Sequence, residues 1–214
     1  MIVAGGSGTR MNSAVPKQFL ELQGLPVLMH TLQAFYRCDQ SIIILLVLPS
    51  AQISYWQELV QTFNFHIPHE VVAGGDSRFQ SVKNGLNVIK GDGLVAVHDG
   101  VRPLVSSRII NEAFQVASRH GAAITVVPSK DSIRVKTKDG SHSVDRSRYL
   151  LVQTPQTFRV DEIKAAYEQR ELPEFTDDAS VYEYGGKKVT LVEGSYKNLK
   201  ITTPEDLLIA EALL

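Results

Sequence analysis

The first 17 residues contain glycines and cations that could bind a phosphate. Residues 4–17 read AGGSGTRMNSAVPK, so three glycines within four positions are followed by Arg10 and Lys17. Glycines placed after a strand let backbone N–H groups approach a bulky anion. The pattern therefore predicts a loop that lies along a nucleoside triphosphate, with the two cations neutralising its phosphates.

Two other kinds of glycine loop fit less well. A P-loop ends in Gly-Lys-Ser/Thr, and this tripeptide does not follow the glycines here. A dinucleotide fingerprint has a third glycine where this chain has Met11, and its next strand ends on an acid that holds the ribose. Here the next apolar run, 42–49, ends in Leu48 and Pro49. The sequence thus disfavours a nicotinamide enzyme.

A second polar group follows the apolar run 94–97. His98 and Asp99 end that predicted strand, and Arg102 comes three residues later. Mg²⁺ prefers carboxylate and phosphate oxygens, so Asp99 is a candidate Mg²⁺ ligand opposite a triphosphate. The alternative is that Asp99 only caps a turn.

The segment 73–86, AGGDSRFQSVKNGL, could hold a flat ring. Its two adjacent glycines would let a ring approach the backbone, and a hydroxyl such as that of Ser81 could read the edge of a pyrimidine. The alternative is an ordinary strand–helix turn capped by Asp76 or Ser77. The segment by itself does not separate these interpretations.

The whole chain predicts an α/β fold. Apolar, β-branched runs alternate with helical patterns, which is typical of a mostly parallel, doubly wound (Rossmann-like) sheet covered on both faces. The three polar loops follow the first, third and fourth strands, at the end where such sheets bind ligands. The predicted strands are 2–4, 42–49, 70–74, 94–99, 122–128, 149–155, 188–194 and 199–202, and the predicted helices are 26–38, 51–64, 78–90, 106–119, 161–170, 177–184 and 204–213.

Residues 129–148 depart from this alternation. The segment is polar, alternates weakly and contains Asp139-Gly140, a two-residue hairpin signal. Because it has too few apolar residues to bury a face, it is either a solvated surface hairpin or an arm that reaches a second subunit. Nothing indicates a second domain, so residues 1–214 are predicted to form one.

Composition excludes several classes of partner. A net charge of −1 provides no chain-wide basic field for nucleic acid or a membrane surface, and no apolar run is long enough to span a bilayer. The single cysteine, Cys38, indicates a reducing, cytoplasmic compartment. His66 and His69 are interpreted as solvated loop residues rather than zinc ligands. The short first strand, 2–4, raises the hypothesis that a few upstream residues are missing.

Six motifs occur in order from the first residues to the last helix: AGGSGTRM-x4-PKQF, AGGDSRxQSV, HDGVRP, VDR…QTPQTF, TDDAS and NLKITTPEDL. In this order they resemble the 2-C-methyl-D-erythritol 4-phosphate cytidylyltransferases of the non-mevalonate isoprenoid pathway. The resemblance implies a nucleotidyltransferase that joins CTP and this polyol phosphate, giving 4-diphosphocytidyl-2-C-methyl-D-erythritol and pyrophosphate with the help of Mg²⁺.

The resemblance also implies roles for individual residues. Arg10 and Lys17 match transition-state stabilisers, Arg146 and Lys200 match groups that hold the polyol phosphate, and Asp99 matches a metal and ribose ligand. In this family the hairpin arm clasps a second subunit, so a homodimer is predicted in which Arg146 serves the neighbour's site. The other implied substrate-binding residues are Ala4, Gly5, Gly6, Ser7, Gly8, Thr9, Gly74, Gly75, Asp76, Ser81, Arg102, Ser132, Thr154 and Thr176.

Two alternatives remain at this point. A ribitol-5-phosphate cytidylyltransferase would share the fold and the CTP loops, but VDR and TDDAS resemble the methylerythritol type. A catalytically silent nucleotide sensor would need neither the metal carboxylate nor the set of cations that occur together here. Lys197 stands where the family often has Asp, which adds a positive charge near the predicted polyol phosphate site.

Overall fold

The computed structural model describes residues 1–5 and 15–214. The elements in chain order are β1 (Ile2–Val3), β2 (Glu21–Leu22), β3 (Leu25–Pro26), α1 (Val27–Cys38), β4 (Leu45–Leu48), α2 (Ile53–Thr62), β5 (Glu70–Ala73), α3 (Arg78–Val88), β6 (Leu94–Asp99), α4 (Ser107–His120), β7 (Ala122–Pro128), β8 (Ile133–Thr137), β9 (Gly140–Val144), β10 (Leu150–Arg159), α5 (Val160–Ala166), α6 (Asp178–Tyr184), β11 (Thr190–Glu193) and α7 (Pro204–Leu213). Short 3₁₀ helices occur at Lys17–Phe19, Ser50–Gln52 and Arg146–Arg148.

The central sheet has seven strands in the order β11-β7-β10-β6-β1-β4-β5. β1 lies between β4 and β6 and is parallel to both, and β11 is parallel to β7. β10 is antiparallel to both of its neighbours, β6 and β7. The predicted α/β fold with a mostly parallel sheet is confirmed.

Apolar side chains cover both faces of the sheet. Ile2 and Leu46 pack on one face with α1, α2 and α4, whereas Val3 and Val47 pack on the other with α3, α5 and α6. Successive strand residues point to opposite faces, so continuous apolar runs are required when both faces are buried. That is the pattern from which the fold was predicted.

Two details of the predicted elements are wrong. Residues 199–202 form no strand, although the Ile201 N–H donates to the Val101 carbonyl at 2.9 Å. The predicted strand 149–155 continues to Arg159 as β10, with a register shift between Val152 and Gln156. Pro155 has no N–H to give to the ladder, which explains the irregularity there.

His69 corrects the interpretation of the histidine pair. His66 is exposed as expected, but His69 is half-buried and accepts a hydrogen bond from the indole N–H of buried Trp56 at 2.9 Å. Its other ring nitrogen donates to the Ile67 carbonyl at 2.7 Å. His69 therefore satisfies a buried donor of the core instead of facing solvent.

The polar segment 129–148 forms a hairpin of β8 and β9, as predicted. Thr137 pairs with Gly140, so the two turn residues are Lys138 and Asp139, one position earlier than predicted. Nearly all of its side chains are exposed. We call residues 129–148 the arm. Of the helices within residues 1–5 and 15–214, none has both the length and the apolarity needed to cross a membrane.

Candidate functional site

Two adjacent cavities lie at the carboxyl ends of β1 and β6. The first, which we call the loop cavity, has a volume of about 180 Å³ and is lined by Ala4, Gly5, Lys17, Asp76 and Ser77, among others. The second, the β10 cavity, has a volume of about 220 Å³, and its lining includes Arg102, Gln153, Thr154, Gln156, Thr176 and Asp177. Arg78, Asp99 and Lys200 line both cavities. They form a common wall of two cations and one carboxylate.

Lys17 is held beside the start of the glycine loop. The Ala4 N–H donates to the Val47 carbonyl at 2.9 Å, and the Gln18 side chain donates to the Ala4 carbonyl at 3.1 Å. Phe19, one residue further on, is buried in the core, and Lys17 itself is 9% exposed. The backbone that leads into the glycine loop and the segment that carries Lys17 are therefore held in place. Gly6, Ser7, Gly8, Thr9 and Arg10 lie outside the described residues.

The glycines after β5 are required by close packing on α3. A Cβ on Gly74 would lie 2.8 Å from Ser81 Oγ, and one on Gly75 would lie 2.5 Å from the Cβ of Gln80. Ser81 Oγ, which is buried, accepts a hydrogen bond from the Gly75 N–H at 3.1 Å. Gly5 lies beside the same hydroxyl, at 3.4 Å from an added Cβ. Ser81 thus brings the loop after β5 against the start of the glycine loop.

Ser77, rather than Asp76, caps α3. Its hydroxyl accepts from the Gln80 N–H at 3.1 Å. Asp76 is exposed and lines the loop cavity, and it is not the cap of α3.

Asp99 is the buried acid of the common wall. Its Oδ2 lies 3.1 Å from Lys200 Nζ and 3.1 Å from Arg102 Nε. Burial alone would raise the pKa of this carboxyl, but the charges of Lys200, Arg102 and Arg78 outweigh burial and hold the pKa well below its usual range. Arg102 also donates to the Asn198 carbonyl at 2.8 Å. An ionised carboxylate is thereby fixed between two cations.

His98 and Thr154 hold the turn that carries Asp99. His98 Nε2 lies 3.2 Å from the Arg102 carbonyl, which can only accept, so this nitrogen carries the proton. His98 Nδ1 then accepts from the Thr154 hydroxyl at 3.1 Å, and that hydroxyl accepts from the Asp99 N–H at 3.0 Å. Burial lowers the pKa of His98 to about 3, so its ring is neutral. The Thr154 hydroxyl is thus already bonded on both sides, and its implied contact with substrate stays a prediction.

Arg78 belongs to the site, although the sequence motifs did not assign it a role. Its Nη1 and Nη2 lie 2.9 and 2.6 Å from the two oxygens of fully buried Asp178. The Tyr167 hydroxyl donates to the same carboxylate at 2.6 Å. Burial alone would lower the pKa of Arg78, but Asp178 outweighs it and raises the pKa. Two features of the sequence could have indicated this pair. Arg78 comes immediately after AGGDS, and Asp178 is the second acid of TDDAS.

The residues predicted on the arm are not part of either cavity. Ser132 and Arg146 are exposed, and neither lines the loop cavity or the β10 cavity of its own chain. Arg146 Nη1 donates to the carbonyl of Lys130, within the arm. The Lys130 ammonium lies 3.6 Å from the centre of the Tyr196 ring, which ties the base of the arm to the loop before Lys200.

A larger cavity of about 620 Å³ lies at the opposite, amino-terminal edge of the sheet. Its lining is mainly apolar, and its charged residues are Glu70, Lys90 and Asp92. Two acids and one base do not suit a triphosphate. The carboxyl edge is therefore the candidate functional site.

Comparison with known proteins agrees with this geometry. The family model described as 2-C-methyl-D-erythritol 4-phosphate cytidylyltransferase matches residues 1–214. A protein of that name from Phocaeicola vulgatus is 51% identical over 214 residues, which is 100% of this chain and 98% of the relative. The crystal structure of 4-diphosphocytidyl-2C-methyl-D-erythritol synthase from Anaerococcus prevotii is similar with a TM-score of 0.84 and 30% identity, covering 99% of this chain and 95% of that one. The crystal structure of 2-C-methyl-D-erythritol 4-phosphate cytidylyltransferase from Thermus thermophilus gives a TM-score of 0.82 and 32% identity, covering 99% and 96%. The chain belongs to the 2-C-methyl-D-erythritol 4-phosphate cytidylyltransferase family.

Proposed function

We propose that the protein transfers the cytidylyl group of CTP to the phosphate of 2-C-methyl-D-erythritol 4-phosphate and releases pyrophosphate. The observation that carries the proposal is the pair of adjacent cavities with a common wall of Arg78, Asp99 and Lys200. Family membership supplies the identity of the two substrates. CTP would occupy the loop cavity and the polyol phosphate the β10 cavity.

The reaction joins two anions, so positioning and charge neutralisation are the main tasks of the protein. A phosphate oxygen of the polyol phosphate forms a bond to the α-phosphorus of CTP, and the bond from that phosphorus to the departing pyrophosphate oxygen breaks. Lys17 lines the loop cavity and is suited to the developing charge on the α-phosphate and pyrophosphate, a role that Arg10 would share. Arg102 and Lys200 line the β10 cavity, where they would attract the polyol phosphate.

Asp99 would hold a Mg²⁺ ion together with oxygens of the bound triphosphate. The donor set suits this ion because Mg²⁺ is commonly held by one or two carboxylates plus substrate phosphates. Asp99 is ionised, and its Oδ1 has no hydrogen bond to any residue within 1–5 and 15–214. Over the same residues no three His, Cys, Asp or Glu side chains converge, so oxygens of the substrate would complete the coordination around Asp99. When bound, the ion would neutralise phosphate charge.

The proposed assembly is a homodimer in which the arm of one subunit reaches the site of the other. Three consecutive residues at the base of the arm, Leu150, Leu151 and Val152, are 41, 51 and 44% exposed. An apolar surface of this kind next to a polar arm supports an interface with a second copy. Arg146, which lines neither cavity of its own chain, would then serve the partner. The single, unpaired Cys38 is consistent with action in the cytoplasm.

An assay of pyrophosphate release tests the proposed reaction. The protein would be mixed with CTP, Mg²⁺ and either 2-C-methyl-D-erythritol 4-phosphate or ribitol 5-phosphate, and the CDP-alcohol would be identified by mass spectrometry. We expect turnover with the methylerythritol substrate. Turnover of ribitol 5-phosphate and none of the methylerythritol substrate would overturn the assignment of substrate, while the nucleotidyl-transfer chemistry would stand.

A further inference from the structure

The first residues of two helices pair with each other at the common wall. Arg78 begins α3, and Asp178 begins α6, a hundred residues later. The residue before each is the helix cap: Ser77 lines the loop cavity, and Asp177 lines the β10 cavity. The ion pair between Arg78 and Asp178 therefore connects one wall of each cavity.

The α6 side of this connection is fixed to the sheet. Gln156 on β10 donates to the Asp177 carboxylate at 2.9 Å and accepts from the Ala179 N–H at 2.9 Å. Asp177 also accepts from the Ser180 N–H at 2.9 Å, which completes the cap. Asp178 thus lies between two residues that bond to β10, and one of them, Asp177, lines the β10 cavity.

Charge and shape both favour arginine at position 78. Asp178 is fully buried, so its carboxylate needs a cation, and the guanidinium fork contacts both oxygens at once. A lysine would keep the charge but would lose the two parallel hydrogen bonds. The side chain of Arg78 is 34% exposed where it faces the cavities, and the pair holds it there.

We propose that Arg78 is a positioning residue for cytidylyl transfer, because its ion pair with Asp178 sets the distance between the loop cavity and the β10 cavity. The inference rests on the proposed function. In-line transfer needs the attacking oxygen about 3–3.5 Å from the phosphorus, and a displacement near 1 Å can cost on the order of 10²-fold in rate. Arg78 thus acts on the alignment of the two substrates rather than on the affinity for either one.

The test compares Arg78→Lys with Lys83→Met, a matched control on the same helix. Lys83 forms an ion pair with Glu168 at 3.6 Å and has a side chain 31% exposed, close to that of Arg78. We expect Arg78→Lys to lower kcat by about 10- to 100-fold while the KM of each substrate changes less than about threefold. Lys83→Met should leave kcat and both KM values near wild type. A rise in the KM of one substrate with kcat unchanged would make Arg78 a ligand-binding residue and overturn the proposal.

Asp178→Asn provides the second arm, because it keeps an acceptor for Tyr167 and removes the charge. If the pair acts as one unit, the double variant that combines Arg78→Lys and Asp178→Asn should have a kcat no lower than that of the slower single variant. Additive losses would contradict the proposal. If Asp178→Asn does not fold, the single Arg78→Lys comparison decides.

Hydrogen–deuterium exchange provides a readout that does not depend on turnover. Arg78→Lys should speed exchange of the Ala179 and Ser180 amides at the start of α6, and Lys83→Met should not. Unchanged exchange in Arg78→Lys would overturn the positioning role even if the wild type transferred no cytidylyl group. A different result would contradict the proposed function alone. In that case the wild type would transfer no cytidylyl group to either polyol phosphate, while Arg78→Lys would still show faster amide exchange than the wild type.

Discussion

Lys200 and Arg146 are both implied to hold the same phosphate, yet the structure supports them differently. Lys200 is ion-paired with Asp99 at 3.1 Å and follows a loop whose Asn198 is fully buried. Arg146 is exposed on the arm, where it contacts the carbonyl of Lys130. One cation is placed in its site by the fold of its own chain, and the other is not.

The difference arises from how much apolar surface surrounds each region. The carboxyl edge is built on strands buried on both faces, so its polar groups must be paired, and pairing fixes their geometry. The arm has few apolar residues and nearly all of its side chains are exposed, and an isolated two-stranded hairpin is marginal in water. A residue on such an arm needs a second surface to act at a defined position.

The strongest test of the fixed region is Lys17→Ala. Negative charge on the α-phosphate and pyrophosphate grows in the transition state, so loss of a preorganised cation should lower kcat by about 10²–10³-fold. The KM of the polyol phosphate should change much less. Steady-state kinetics measures both values, and Lys90→Ala, at the opposite edge of the sheet, is the control. A kcat within about threefold of wild type would contradict the proposed role.

The arm is tested by mixing two inactive variants, Arg146→Ala and Lys17→Ala. If Arg146 acts across the interface, one site of each mixed dimer regains both groups, and exchange to equilibrium should restore about a quarter of wild-type activity. Arg148→Ala, on the same arm, is the matched control and should be active alone. Exchange demonstrated by mass spectrometry without recovered activity would place Arg146 in its own subunit's site.

A smaller effect is expected from Leu151→Asp at the base of the arm. If the proposed dimer forms through this apolar surface, a charge there is left desolvated and unpaired, so the variant should associate more weakly than the wild type. Analytical ultracentrifugation measures this. Leu208→Asp on α7 changes a similarly exposed leucine, 66% against 51%, and should leave association unaltered. Equal association of all three proteins would argue against this interface.

The smallest effect concerns the stability of the protein in acid. A histidine at the carboxyl edge should contribute to it, and a histidine on the arm should not. The folded pKa of His98 is about 3, below its ordinary value of 6.5, so the unfolded chain binds a proton that the folded chain does not. This contribution to the free energy of unfolding is complete above pH 6.5 and is lost as the pH falls towards 3. Between pH 6 and 4 the free energy of unfolding of His98→Gln should therefore fall less steeply with decreasing pH than that of the wild type, by about 1.4 kcal/mol per pH unit. Denaturant unfolding measures it, with His142→Gln on the arm as the unchanged control.

Sequence patterns were sufficient for the fold, and they named several of the residues that line the two cavities. Apolar runs with β-branched residues located the seven strands of the central sheet, because burial on both faces demands them. Apolar runs did not predict the register shift in β10 between Val152 and Gln156, or that residues 199–202 form no strand. Both depend on backbone pairing with residues distant in the chain, such as Ile201 with Val101.

The residue pattern was enough to place glycines and Asp99 directly after buried strands and to mark Lys17 and Lys200 as cations of nearby segments. The tertiary structure shows how these residues are used. It pairs Arg78 with Asp178 across a hundred residues, joins the Thr154 hydroxyl to His98, and places Ser132 and Arg146 outside the loop cavity and the β10 cavity of their own chain. The physical reason is that spacing along the chain carries the periodicity of strands and helices, whereas buried charges choose partners by proximity in space.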